Sequence, residues 1–274
     1  MTNEGDQPFR HHTLKHHIVS WISRNVFGHL TYTVRRGLLK GMIRQGGLAW
    51  IPEFWGTSSH TAEHRFLSGL DLTGKVVFDV GAFEGLVTLF FARKAQHVVC
   101  YEPNPGNVAK LRKNLELNHI QNVTVRQLGL GQNPRSAVMV WDPSMAGAAT
   151  LEDTSMADAI GYHKDARREE IRITTLDQDI MDVGLPKPDL IKVDVEGYEL
   201  PVLKGAQNLL ETLHPSLYLE MHGETMNEKR RNVSAIVDYL NQVGYKKILH
   251  IESGEMITSD NCELAAQGHL FANQ

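Results

Sequence analysis

Two acidic residues flank a glycine-rich turn early in a repeating pattern of strands and helices. Asp79 ends the apolar run VVFD and is followed by Gly81 and Gly85. Glu102 ends the next apolar run, 21 residues after Gly81. In open α/β sheets, ligands bind beyond the carboxyl ends of the strands, and an acid about 20 residues after the glycine turn accepts hydrogen bonds from ribose hydroxyls. The pattern favours a nucleoside site over two structural roles, in which Asp79 caps a helix and Glu102 is a solvated acid.

The glycine turn lacks features that bind nucleotide phosphates. Phe83 replaces the second glycine of the dinucleotide pattern G-x-G-x-x-G, and the lysine of a P-loop is also missing. Asp79 and Glu84 would place negative charge beside a diphosphate, at about 1 kcal/mol per charge pair even in water. The same charge would attract an ammonium group. We therefore expect S-adenosylmethionine, which carries an ammonium and a sulfonium, rather than NAD.

Two further polar segments supply candidates for catalysis. KVDVEGYE places Asp194 and Glu196 two residues apart, and EMH does the same for Glu220 and His222. Residues two apart face the same side of an extended strand. Such side chains can serve as general bases, and a histidine could do so at neutral pH without a large pKa shift. We expect Asp194 as the leading base, then His222, with Glu196 as an orienting group.

The catalytic candidates have alternative explanations. Glu196 and Glu199 could begin a helix, where acids complement the helix dipole. Asp194, Glu220 and His222 could hold a divalent metal, because two carboxylates and an imidazole can form an open site. Nothing in the sequence fixes that geometry, and no metal is predicted.

Strand and helix patterns alternate from about residue 62 onward. Five short apolar runs predict strands, at residues 75–80, 97–102, 122–128, 188–195 and 216–222. KKILHIE and GHLFAN are interpreted as a closing pair. The alternation predicts an α/β fold with a mostly parallel, doubly wound sheet covered by helices on both faces. An insertion at about 130–187 interrupts the pattern, and its segments SAVMVWD and EEIRIT could be extra strands.

Four segments resemble the FkbM-type methyltransferases. They are VVFDVGAFEG, YEPNPGNVAKLRKNLELN, ITTLDQ and, as the longest and most specific, IKVDVEGYELPVLKGA. The resemblance extends from about residue 62 to 250. It implies the class I methyltransferase (Rossmann-like) fold, a doubly wound seven-stranded sheet whose last strand is antiparallel. It also implies O-methylation that depends on S-adenosylmethionine.

The resemblance further implies which residues bind the cofactor. These are Asp79, Gly81, Ala82, Gly85, Glu102, Pro103 and Asn104. The residues of the glycine turn would line the methionine part, and Glu102 would hold the ribose. Phe83 stands where the family commonly has Asn, and residues 129–132 read GLGQ where Ala-Leu-Gly-Asp is common. Contacts made by the backbone would be retained.

Composition limits the function classes. The 274 residues are 42% hydrophobic and 22% charged, with a formal net charge of −4, so we expect a globular protein without nucleic acid as a partner. Cys100 and Cys262 are too few for a disulfide scaffold or a cysteine zinc cluster, and they fit a reducing cytoplasm. No apolar run approaches the roughly 18 residues that span a bilayer, and the first residues lack the pattern of a signal peptide. The protein is expected to be cytoplasmic.

Residues 1–61 are predicted to form a helical extension packed on a domain of residues 62–274. Apolar residues recur there at helical spacing, at Ile18, Ile22, Val26 and Leu30. Residues 1–50 contain seven Lys/Arg and two acids. A basic amphipathic helix could contact a membrane surface peripherally, but packing on its own domain is commoner.

The favoured function is O-methylation of a hydroxyl on a small-molecule or sugar/glycan acceptor, as the resemblance implies. An NAD-dependent oxidoreductase is disfavoured by Asp79 and Phe83. A non-catalytic interaction protein with a methyltransferase fold is disfavoured by acids at four strand ends. The insertion and the N-terminal arm would select the acceptor, and the sequence does not indicate the oligomeric state.

Overall fold

The structure, a computed structural model, describes residues 30–45, 61–141, 149–151 and 166–274. The described strands are β1 (Thr31–Thr33), β2 (Ile43–Gln45), β3 (Val76–Val80), β4 (His97–Tyr101), β5 (Val123–Arg126), β6 (Gly129–Leu130), β7 (Arg135–Trp141), β8 (Ala149–Leu151), β9 (Arg167–Thr174), β10 (Leu190–Val193), β11 (Ser216–Glu220), β12 (Lys247–His250) and β13 (His269–Asn273). The described α-helices are α1 (Ala62–Gly69), α2 (Leu86–Lys94), α3 (Pro105–Leu117), α4 (Leu176–Val183), α5 (Glu199–Lys204), α6 (Gln207–Leu213) and α7 (Met226–Gln242).

Seven of the described strands form the central sheet, in the order β12-β13-β11-β10-β3-β4-β5. β13 runs antiparallel to β11 and β12, and the other neighbouring strands run parallel. The chain builds outward from β3 in one direction and then from β10 in the other. The predicted class I methyltransferase (Rossmann-like) sheet, doubly wound with an antiparallel last strand, is confirmed.

Apolar side chains cover both faces of this sheet. Phe78 packs in the cluster on the side of α5, α6 and α7, whereas Val77 packs in the cluster on the side of α1, α2 and α3. The alternation follows from the period of two along a strand. Among the described residues, no helix is both long enough and apolar enough to span a bilayer.

The predicted interruption contains a second sheet of four described strands, in the order β6-β9-β7-β8. SAVMVWD lies mainly in β7 and EEIRIT in β9, and these two strands pair antiparallel over seven residue pairs. Residues 142–148 and 152–165 of the insertion lie outside the described residues.

The described part of the N-terminal extension is a β-hairpin, where the sequence predicted a helix. β1 and β2 pair antiparallel, and Gly37 and Gly41 between them have φ of +74° and +86°, which favour glycine and permit the reversal. The hairpin packs on α3, where the side chain of Asn118 bonds both the N–H and the carbonyl of Ile43. The rest of the predicted helical extension, 1–29 and 46–60, lies outside the described residues.

Candidate active site

The glycine turn joins β3 to α2 at the carboxyl edge of the sheet. Gly81, Phe83 and Gly85 have positive φ of +80°, +50° and +86°. The backbone N–H groups of Gly81 and Ala82 both donate to the carbonyl oxygen of Tyr101, at 3.0 Å each. The turn is therefore fixed to the end of β4, where Glu102 begins the next loop.

Glu102 is buried beside the turn with its carboxylate held by the backbone. Its Oε2 accepts from the N–H of Phe83 at 2.9 Å, and its Oε1 accepts from the N–H of Asn104 at 2.9 Å and the amide of Asn107 at 3.2 Å. Burial raises the pKa of Glu102, and these hydrogen bonds oppose the rise. A carboxylate offers about four acceptor positions, so Glu102 retains capacity for a ligand hydroxyl.

The other residues of the predicted cofactor loop have structural partners. The side chain of Asn104 is buried and caps α3, accepting from the N–H of Gly106 at 2.8 Å. Pro103 is partly buried between Glu102 and that cap. These two residues shape the loop, and a direct contact with cofactor stays a prediction for them.

Asp79 differs from the sequence prediction because its carboxylate has no exposed surface. Oδ2 accepts from the hydroxyl of Thr88 at 2.5 Å, and Oδ1 lies 3.3 Å from Nζ of Lys192. Asp79 therefore supports the turn through Lys192, and its predicted contact with an ammonium group stays a prediction.

Glu84 also has internal partners, which corrects the electrostatic argument against a diphosphate. It is 2% exposed and pairs with Nζ of Lys110 at 2.5 Å and with Arg44 at 3.9 Å. Because Lys192 likewise pairs with Asp79, neither acid presents an unpaired charge to a ligand. That part of the sequence argument was wrong, because the three cations that pair with these acids lie in other parts of the chain.

Lys192 links the glycine turn to the loop after β10. Its buried Nζ donates to the carbonyl oxygen of Gly81 at 3.2 Å and to Oδ2 of Asp194 at 3.0 Å. Burial alone would lower the pKa of Lys192, but the charges of Asp79 and Asp194 raise it above its ordinary value. Lys192 was not predicted from the sequence, because a lysine within an apolar run gives no signal of its partners.

His222 follows β11 and is surrounded by acids. Its Nδ1 lies 2.9 Å from Oε1 of the buried Glu199. Its Nε2 faces three further carboxylates, those of Glu220 at 3.5 Å, Glu196 at 3.7 Å and Asp194 at 3.8 Å. The structure thus brings together the predicted catalytic residues Asp194, Glu196 and His222, and Glu199 takes the orienting role expected of Glu196.

Charges within this cluster change the expected order of bases. Burial lowers the pKa of His222, but Glu199 and Glu220 outweigh it and raise the pKa to about 11. His222 therefore holds its proton at neutral pH and does not fit the predicted base. Burial raises the pKa of Glu196 to about 7, and it raises that of Asp194 against the opposing charge of Lys192.

The last strand adds a second histidine that was not predicted from the sequence. His269 of β13 pairs in register with Glu220 of β11, and its Nε2 lies 3.7 Å from that carboxylate. Its Nδ1 lies 2.6 Å from Oε1 of Glu252. Burial lowers the pKa of His269, but Glu220 and Glu252 raise it to about 9. Only the antiparallel pairing of β13 with β11 could have indicated this contact.

The chain matches a known protein family. The family model of the methyltransferase FkbM domain matches residues 79–247, which include the glycine turn, Glu102 and the acids around His222. This chain belongs to the FkbM methyltransferase family. The resemblance inferred from the four sequence segments is confirmed.

Several curated proteins are similar to this chain. Hexuronic acid methyltransferase AglP of Haloferax volcanii is 32% identical over 149 residues, covering 54% of this chain and 56% of AglP. Methyltransferase 1 of Beauveria bassiana is 28% identical over 142 residues, covering 47% of this chain and 57% of that protein. 2-O-methyltransferase NoeI of Sinorhizobium fredii is 25% identical, covering 67% of this chain and 78% of NoeI. The matches span little more than half the length of the first two relatives.

A solved structure of an FkbM methyltransferase from Methylobacillus flagellatus covers 76% of this chain and 45% of its own. It aligns with a TM-score of 0.47 and 18% sequence identity.

Proposed function

We propose that this chain is an S-adenosylmethionine-dependent O-methyltransferase acting on a hydroxyl group of a small molecule or sugar. The observation that carries the proposal is the contact of Lys192 with two loops, at the carbonyl of Gly81 and the carboxylate of Asp194. It places the glycine turn next to the acidic cluster at one edge of the sheet. A methyl donor at the turn and an acceptor at the cluster would therefore be neighbours, as direct transfer requires.

S-Adenosylmethionine supplies the methyl group when bound. Glu102 fits its ribose, because the carboxylate is fixed beside the turn and retains acceptor capacity. Asp79 acts indirectly in this proposal, by holding Lys192 under the turn. The charge argument against NAD no longer applies, so membership of the FkbM methyltransferase family and Phe83 in the dinucleotide pattern support the methyl donor.

Glu196 is our proposed acceptor of the hydroxyl proton. The side chain of Glu196 is 42% exposed at the cluster, whereas Asp194 is bonded to Lys192 and Glu199 to His222. This order differs from the sequence expectation, in which Asp194 was the leading base. A general base at this position contributes about 10²- to 10⁴-fold in rate.

The acceptor is proposed from two relatives. AglP is a hexuronic acid methyltransferase and NoeI is a 2-O-methyltransferase. We therefore propose a sugar hydroxyl as the acceptor, with a carboxylate-bearing sugar as the first compound to assay.

Calorimetric titration with S-adenosylhomocysteine and with NAD tests the donor. We expect the chain to bind S-adenosylhomocysteine and not NAD. Selective binding of NAD would reject the proposal. Transfer of a labelled methyl group from S-adenosylmethionine to uronic acids and neutral sugars then tests the reaction. Binding without transfer to any hydroxyl acceptor would favour the non-catalytic alternative.

A further inference from the structure

We propose that Asp194, Glu220 and His222 form a divalent-cation site. One donor atom from each residue lies within 4.8 Å of the other two, at the ends of the neighbouring strands β10 and β11. The binding of the cation stands on this geometry alone. Its role in the reaction, described below, rests on the proposed function.

The donor set fits a first-row divalent ion. Nε2 of His222 is 3.5 Å from Glu220 and 3.8 Å from Asp194, and ligands at right angles around such an ion stand about 3 Å apart. Small rotations of side chains would close that difference. Two carboxylates and an imidazole leave positions open for water or substrate; the carboxylates suit Mn²⁺, and the imidazole favours a transition-metal ion over Mg²⁺.

Negative charge exceeds positive charge around this site. Contacts of 4 Å or less join one lysine, Lys192, and two histidines, His222 and His269, and an ion bound at Nε2 of His222 would take the place of a proton there. The same contacts bring in seven carboxylates among the described residues, those of Glu63, Asp79, Asp194, Glu196, Glu199, Glu220 and Glu252. A divalent ion would offset part of this excess, in partly buried surroundings where charges interact strongly.

The imidazole of His222 is oriented as metal ligands usually are. Glu199 is 1% exposed, and its Oε1 accepts from the N–H of Gly197 at 3.0 Å while it lies 2.9 Å from Nδ1 of His222. A buried carboxylate on one ring nitrogen fixes the ring and turns the other nitrogen toward the ion. Glu199 is thus a positioning residue. On the other strand, Nε2 of His269 lies 3.7 Å from the carboxylate of Glu220.

The cation would activate the acceptor during methyl transfer. An ion held by these residues would polarise the sugar hydroxyl. The hydroxyl proton passes to the carboxylate of Glu196, and the oxygen forms a bond to the methyl carbon. The bond between that carbon and sulfur breaks, and sulfur keeps the electron pair, so the sulfonium becomes a neutral thioether.

Binding of Mn²⁺ to the full chain tests the site directly. Electron paramagnetic resonance should detect one bound Mn²⁺ per chain. Glu220→Gln and His222→Gln should weaken its binding at least about tenfold, and Glu199→Gln should do so about 10- to 100-fold. Glu116→Gln on the exposed side of α3 is the matched control and should bind as the unaltered chain does. Circular dichroism of each variant checks that it folds.

Two binding outcomes separate this inference from the proposed function, and two activity outcomes test the catalytic role of the cation. If the chain binds S-adenosylhomocysteine but does not bind Mn²⁺ supplied at millimolar concentration, the cation site is overturned and the proposed function stands. If the chain binds Mn²⁺ but does not bind S-adenosylhomocysteine, the cation site is supported and the proposed function is rejected. Methyl transfer lost with a chelator and restored by Mn²⁺ supports the catalytic role, whereas transfer that persists with the chelator overturns it.

Discussion

A Cβ atom on Gly81 would lie 1.7 Å from the carbonyl oxygen of Asp194. Gly81 also has a φ of +80°, in the left-handed region that favours glycine. The glycine turn and the loop after β10 therefore pack backbone against backbone. Gly81 is required for contact between the two halves of the proposed site, whether or not it also lines the cofactor.

Gly81→Ala should destabilise the protein strongly. Left-handed backbone costs alanine about 1–2 kcal/mol, and the clash with Asp194 must be relieved by separating the loops. We expect the free energy of unfolding to fall by at least about 3 kcal/mol in urea denaturation. Gly74→Ala is the matched control, because Gly74 has a φ of +72° and a Cβ added there would meet nothing within 4 Å. Its free energy of unfolding should fall only by the cost of left-handed backbone in alanine, about 1 kcal/mol. Equal losses in both variants would contradict the role of the clash.

The central sheet could be predicted from sequence because its signals are local. Each strand is a short apolar run, and each crossover helix carries its own apolar spacing. The hairpin of residues 30–45 was missed because apolar spacing upstream favoured a helix, while the reversal depends on the glycine conformations at Gly37 and Gly41. The position of the second hairpin strand is set by its packing on α3, which is distant in sequence.

The acids of the site could also be located from sequence, but their partners could not. Asp79 is paired with a lysine 113 residues later, and Glu84 with an arginine 40 residues earlier. The contact between Glu220 and His269 arises only when β13 pairs antiparallel with β11. Sequence position predicted that acids gather at one edge, whereas the charge each acid presents depends on these distant cations.

Lys192→Met should lower stability by about 3–5 kcal/mol, because it leaves the buried Asp79 and the partly buried Asp194 without their cation. Urea denaturation monitored by circular dichroism measures the change. Adding Asp79→Asn to Lys192→Met removes one of the unpaired charges and should recover part of the loss.

A surface ion pair supplies the comparison for Lys192. The side chains of Lys75 and Asp189 are 49% and 38% exposed and lie 3.0 Å apart. Lys75→Met should therefore change the free energy of unfolding by no more than about 1 kcal/mol. If Lys192→Met proves as mild as Lys75→Met, the buried pair does not hold the two loops together.

Glu102→Gln should weaken S-adenosylhomocysteine binding about 10- to 100-fold. The amide nitrogen that replaces one oxygen cannot accept from the N–H of Phe83 or Asn104, and it would disturb the proposed bond to the ribose. Isothermal titration calorimetry measures the dissociation constant. Glu116→Gln should leave it unchanged, since that exposed acid contacts Lys113 on α3. Unaltered affinity in Glu102→Gln would remove the ribose assignment.

Glu196→Gln should lower kcat for methyl transfer about 10²- to 10⁴-fold, because the amide keeps the shape of the side chain but cannot accept the hydroxyl proton. The partly exposed side chain lies at the edge of the cluster, so affinity for S-adenosylhomocysteine and stability should stay near those of the unaltered protein. Steady-state kinetics separates kcat from KM. Glu196→Asp, which restores a carboxylate on a shorter chain, should recover part of the rate. A kcat retained in Glu196→Gln would return the role of base to Asp194.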